Sequence, residues 1–337
     1  MTIEYKPSDA HIVKAVSVSD DAPYGVKEVQ AITPNRPSLV IFGGELTDCA
    51  RHANHYVKQM HQILDEHNMS GVDVYSVYYD FGSRDSNLER RMLFRNAGRR
   101  LAKLDDEEKI VFHMRETEAT PKYIEKLYKI LCEPLLAQDA TNNASKLRFY
   151  AHSHGAAAIY MLGKYMARQM QKNGFSATEI NTIQKNIVAI QYGPIAPLEN
   201  PNFMTLSFAS ASDTRMDMHN IFSKYVYLNA ENLYPSYFNQ CGMHLFVGGQ
   251  LKNNFRGEHD NTGMLKSEKE LLTSDGEVIL AAERNAIINS LKAAKNNQPT
   301  PTVSQMVSGN GVDFQEMKSN GEWFYQTMLN DVKNRRV

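Results

Sequence analysis

The stretch "LRFYAHSHGAAAIYML", Leu147 to Leu162, decides how this chain is read. A β-favouring run climbs to Ser153, which sits between His152 and His154. Gly155 follows, then Ala156, Ala157 and Ala158 at the start of a helix-forming run. A sharp strand-to-helix turn pushes a serine side chain off the end of a sheet. It also aims the next amide, and the N-terminus of the helix, at charge developing beside the hydroxyl. Attack on an ester carbonyl needs those amides, an exposed hydroxyl and a base. Small residues two before and two after the serine, here Ala151 and Gly155, let strand and helix pass closely. The plainer alternative is a structural serine in an ordinary α/β turn.

Working outward, strand-like and helix-like segments alternate. "HIVKAVSVS" (11–19) and "YGVKEVQAI" (24–32) alternate polar with apolar and predict an antiparallel pair at a sheet edge. "PSLVIFGG" (37–44) is continuously apolar, as expected of a strand buried on both faces. The stretch 46–68 predicts a helix capped by Thr47 or Asp48, and 72–80 a strand. Helices are predicted over 84–104 and 120–139, the second opening on Thr-Pro, with a short strand at 108–114 between them. After the serine turn, a helix reaches about Lys172. Strands are predicted at 185–194, 203–213, 224–230 and 242–250, then a helix at 276–297. This is an α/β layout: a mostly parallel central sheet with helices on both faces. The main domain spans 1–297, the Pro- and Gly-punctuated 298–313 reads as a linker or long loop, and 314–337 as a short C-terminal helical appendage.

Length and composition bound the function. A chain of 337 residues can bury a large core. A formal net charge of -1 gives no general attraction to nucleic acid, and the basic clusters at Arg90-Arg91, Arg99-Arg100 and Arg335-Arg336 read as solvated faces and a charged tail. No apolar run approaches the roughly 18 residues of a spanning helix, and the N-terminus lacks the pattern of a secretory signal. A cytoplasmic protein is expected, without excluding specialised secretion. The three cysteines, Cys49, Cys132 and Cys241, are far apart and outside any CxxC pair, so neither a disulfide framework nor a thiolate zinc site is expected. His52 and His55 share a helix face, but His61 is turned away and no zincin spacing follows. His152 and His154, two apart on an extended chain, point to opposite faces. No metal and no cofactor are expected.

The A-H-S-H-G turn, with its apolar strand before and small-residue helix after, resembles the nucleophile elbow of the α/β-hydrolase superfamily, usually G-x-S-x-G. Alanine replaces the first glycine. The resemblance covers about residues 10–297. It implies a serine esterase, lipase or thioesterase acting through an acyl-enzyme on a small-molecule or lipid acyl ester, with Ser153 as nucleophile. It places an oxyanion hole in the amide of His154 and the loop after the third strand, around Gly44 and Glu45, with Gly43 and His152 shaping the pocket. The family's chain order of Ser, acid, His points to Asp213, with Asp217 as fallback, and then to His259; His244 and His219 fit the order less well. It implies candidate lid or cap insertions at 84–140 and 214–241. Two other classes remain open: a hydrolase-fold protein that binds without catalysis, and an α/β protein holding a phosphate ligand at a topological switch point. No GxGxxG or P-loop sequence supports the last.

Overall fold

The structure, a computed structural model, describes residues 10–17, 25–44, 50–79, 122–153, 155–194, 202–210, 243–248, 278–312 and 314–315. Its frame is an eight-stranded sheet in the order β2-β1-β4-β3-β5-β6-β7-β8. The strands are β1 (Ala10–Ala15), β2 (Val26–Val29), β3 (Ser38–Phe42), β4 (Asp73–Tyr79), β5 (Leu147–His152), β6 (Val188–Tyr192), β7 (Met204–Ser210) and β8 (Met243–Gly248). From β4 to β8 all neighbours pair in parallel. β1 is antiparallel to both β4 and β2, which makes the edge hairpin expected from the alternation of 11–32. The hairpin faces water and can be polar: His11 contacts Glu28 across it at 2.8 Å and stacks on Tyr78.

The central strands are buried along their full length because both faces are covered. One face carries Val40, Phe42, Val77, Phe149, Ala151 and Ala189. It packs on α2 (Lys122–Leu127), α4 (Gly155–Lys172) and α5 (Ala177–Asn186). The other carries Leu39, Ile41, Val74, Tyr150, Ile190 and Phe208. It packs on α1 (Ala50–Glu66), α6 (Val278–Lys295) and α7 (Val303–Val307). In α1 the stripe Ala53, Val57, Met60 and Leu64 turns inward at helical spacing, leaving His55 and His61 exposed. The proposed caps Thr47 and Asp48 lie outside the described residues.

Two expectations need correction. The helix read over 120–139 is α2, then a π-helical turn at Tyr128–Cys132, then a 3-10 turn at Glu133–Leu136 containing Pro134. A proline ring cannot continue an α-helix without losing a hydrogen bond. After it, α3 (Ala140–Ser145) is capped by the Asp139 side chain. In this part of the candidate insertion 84–140, Tyr123, Leu127, Leu131 and Leu135 are core residues, while 84–121 lies outside the described residues. Secondly, 298–313 contains α7, capped by a reciprocal Thr302–Gln305 box and burying Val303, Met306 and Val307. Asn285 and Asn289 of α6 donate to the carbonyls of Gln305 to Gly309 and hold it down. It is a docked part of the body rather than a linker. Between α4 and β6, a stretch given no element in the sequence reading forms α5, with Ser176 and Glu179 as its capping box.

The readings for 84–104, 108–114 and 224–230, the appendage beyond Gln315 and the insertion 214–241 fall outside the described residues. Among the described residues no helix is long and apolar enough to cross a membrane.

Phe149 stands edge-on to Phe42 and Phe203, with ring centroids 5.5 and 5.3 Å away. Phe149→Ala is expected to cost about 3–5 kcal/mol, read as a lower urea midpoint at unchanged slope. A loss under about 1 kcal/mol would mean that this layer can collapse around the gap.

Candidate active site

The chain order around β3 creates a crevice. β3 is followed by α1, which packs on one face of the sheet, and β5 by α4, which packs on the other. β3 and β5 are neighbours in the sheet. Their outgoing connections therefore diverge, and the carboxyl ends of the two strands flank a topological switch point. Open α/β sheets bind ligands at such points. Gly43–Gly44 follow one strand and Ser153 the other.

Ser153 has φ of 52°, in the left-handed region. For a residue with a Cβ this costs about 1–2 kcal/mol, so something must hold it. Its amide donates to the Tyr192 carbonyl at 3.0 Å, extending the β5–β6 ladder by one bond. Its carbonyl accepts from the Ala156 amide at 3.1 Å, within the first turn of α4. The chain is thus pinned to the strand on one side and to the helix on the other, and the strain falls on the serine between them.

Gly155 explains why the turn can be this tight. A Cβ there would lie 2.3 Å from the carbonyl oxygen of Phe42 and 2.8 Å from that of Gly43. No other residue type fits. Gly44 is closely approached but less constrained, since its Cβ would lie 3.1 Å from His152 Nδ1 and 3.2 Å from Ser153 Cβ. Gly44 therefore lies against His152 and Ser153. The His152 ring is buried and tilted against Tyr192, with centroids 6.4 Å apart.

Of the residues singled out from the sequence, the structure brings together Ser153, His152, Gly43 and Gly44 at one edge. Glu45, His154, Asp213, Asp217, His219 and His259 lie outside the described residues, as does the side chain of His244 in β8. Among the described residues no group of three His, Cys, Asp or Glu side chains could hold a metal. Cys132 offers no second nucleophile there: it is buried in the core and burial pushes its thiol pKa up.

Sequence reasoning missed the polar residues beneath the turn. Arg148 and Tyr150 share one face of β5, Lys146 immediately precedes the strand, and all three hydrogen-bond to α6 or the residues just after it. Their signal was present as a period-two polar pattern in a strand that is otherwise apolar.

No protein-family model matches the sequence, and no curated protein is significantly similar to it. Among solved structures it is similar to one described as the structure of FAE, at 10% identity and a TM-score of 0.29, over 72% of this chain and 82% of that one. At that score the likeness carries no argument, and the reading of the site rests on its own geometry.

Two substitutions test the turn. Ser153→Gly is expected to be more stable than Ser153→Ala by about 1 kcal/mol, because only glycine is unstrained at this φ. Equal urea midpoints would remove the strain. Gly155→Ala should cost at least the about 1–3 kcal/mol of an overpacked core, and wild-type stability in that variant would contradict the close approach to β3.

Proposed function

We propose that the chain is a serine hydrolase of the α/β-hydrolase kind, cleaving a carboxylic ester or thioester through an acyl-enzyme. The observation that carries this reading is Ser153 in a left-handed backbone at the carboxyl end of a central parallel strand, beside a glycine loop at the switch point. Ser153 is buried in this structure; what supports the reading is the strained turn, which a structural serine does not need and which turns a nucleophile's hydroxyl off the end of the strand.

The carboxyl ends of two further strands lie at the same edge. β7 ends at Ser210, three residues before Asp213, and β8 ends at Gly248, before the segment that contains His259. Both strands run parallel to β5 through the ladder between them, so their carboxyl ends lie at the edge that carries Ser153. In this reading Ser153 Oγ attacks the acyl carbon as His259 takes its proton. Asp213, or Asp217 in its stead, holds the imidazole in the right tautomer and stabilises its charged form. Amides of His154 and of the Gly44–Glu45 stretch receive the oxyanion, and His152 and Gly43 shape the pocket. The protonated His259 then gives its proton to the leaving alkoxide or thiolate. A water activated by His259 releases the acid. The substrate is a small-molecule or lipid acyl ester, and the steps above call for no cofactor.

A fluorophosphonate probe should label the wild type and not Ser153→Ala. Folded protein that resists labelling would return the chain to the class of binding modules that keep the fold without the chemistry. His259→Ala should lower p-nitrophenyl ester turnover by about 10³-fold or more with the fold intact. Asp213→Asn should do the same; if Asp217→Asn does so instead, the acid is Asp217.

A further inference from the structure

The sequence holds three Asn-Gly pairs: Asn173-Gly174, Asn310-Gly311 and Asn320-Gly321. The last lies outside the described residues. In such a pair the backbone nitrogen of the glycine can close on the side-chain carbonyl carbon of the asparagine. Glycine lacks a Cβ, so that nitrogen is unshielded and the chain around it is free to rotate. What the fold does with the nitrogen decides how readily the pair reacts.

The two described pairs are held differently. Asn173 and Gly174 follow α4, and the Gly174 amide donates to the Gln171 carbonyl at 3.1 Å. Its nitrogen is tied into the end of the helix. Gly309 to Val312 form a two-residue turn after α7, closed by the Val312 amide on the Gly309 carbonyl at 3.0 Å. Asn310 and Gly311 are its central residues, with φ of 50° and 78°, the pattern of a type I′ turn. Both are exposed. Among the described residues the Gly311 amide has no hydrogen-bond acceptor.

Asn310 is also one link in a chain of amides. Its Nδ2 donates to Asn285 Oδ1 at 3.0 Å. Asn285 Nδ2 donates in turn to the carbonyls of Val307 at 3.1 Å and Gly309 at 2.8 Å. Asn285 is buried, and its carboxamide has one donor end and one acceptor end. Val307 closes α7, whose Val303, Met306 and Val307 are buried in the core.

We infer that Asn310 is a self-modification site, and that its conversion to an acid loosens the dock of α7. The Gly311 nitrogen gives its proton to hydroxide and bonds to Asn310 Cγ. The Cγ–Nδ2 bond breaks and ammonia leaves. Water then opens the cyclic imide. Opening at Cγ gives aspartate, and opening at the main-chain carbonyl gives isoaspartate, which adds a methylene to the main chain of the turn. One water is consumed and one ammonia released. Either product removes the donor that Asn285 Oδ1 accepts and adds a negative charge beside it. Turning the Asn285 amide over would offer a donor to the new carboxylate, but would break the bonds to Val307 and Gly309. No orientation keeps all three. Nothing in this chemistry depends on Ser153.

The test incubates the full chain, folded, in mildly alkaline buffer. Peptide mapping follows the acid formed at each asparagine, and isoaspartyl methylation marks the isomer. Each site is compared with its own rate in urea, where the fold is gone. Folding should slow Asn173 about 2–10-fold more than Asn310, since one more hydrogen bond must open first. Equal slowing, greater slowing at Asn310, or no conversion at Asn310 in the folded chain would overturn the inference. Asn310→Asp supplies the product with an unaltered main chain. In this variant the amides of Met306 and Ser308, which donate to Thr302 and Ser304, should exchange about 5–30-fold faster, while β3 and β5 stay protected. Unchanged exchange at those two amides would reject the loosening of α7.

Discussion

The first turn of α4 lies against the end of β3, and only a hydrogen fits between them. Gly155 supplies that hydrogen, with the carbonyls of Phe42 and Gly43 directly opposite. Much else follows from this approach. If α4 began further out, the chain leaving β5 would not need to reverse so sharply, and Ser153 would have no reason to adopt a left-handed backbone. The glycine loop after β3 would not touch His152 and Ser153. The alanines that follow Gly155 are fully buried and keep the helix near the sheet over its next turn.

The two sides of β5 are held by different physics. Toward α4 the strand presents Leu147, Phe149 and Ala151, and shape alone decides the fit. Toward α6 it presents hydrogen-bonding groups, each with a particular partner. Arg148 is fully buried, and burial pulls its pKa down from its usual value. Its hydrogen bonds to three backbone carbonyls offset part of the cost. One layer sets how near the helix can come, and the other sets where along the strand it stops.

Much of the frame was legible because its signals are local. The continuous apolar run of β3, the alternation of β1 and β2, and the strand–serine–glycine–alanine sequence each have one backbone solution. Where composition and capping chemistry point different ways, the caps decide. Ser176 with Glu179, and Thr302 with Gln305, are reciprocal boxes written in the sequence, and both begin helices that were overlooked. Prolines and glycines around α7 suggested a loop, yet Val303, Met306 and Val307 were already spaced for one buried face. Pro134 broke a helix whose apolar period runs on past it. At the site, the turn and its glycines could be read because their constraint is steric and near in sequence. The ties from β5 to α6 could not, since a polar residue in a strand does not announce a partner far along the chain.

Those ties join residues separated by 133, 142 and 148 positions. During synthesis β5 therefore emerges long before α6 exists to cover it. An uncovered central strand of this apolar character is the kind of segment that pairs with other chains. Lys146 and Arg148 put two positive charges on the face left open, and like charges on neighbouring strands repel. The residues that tie α6 to β5 in the folded protein thus also carry charge beside the strand before that helix is made.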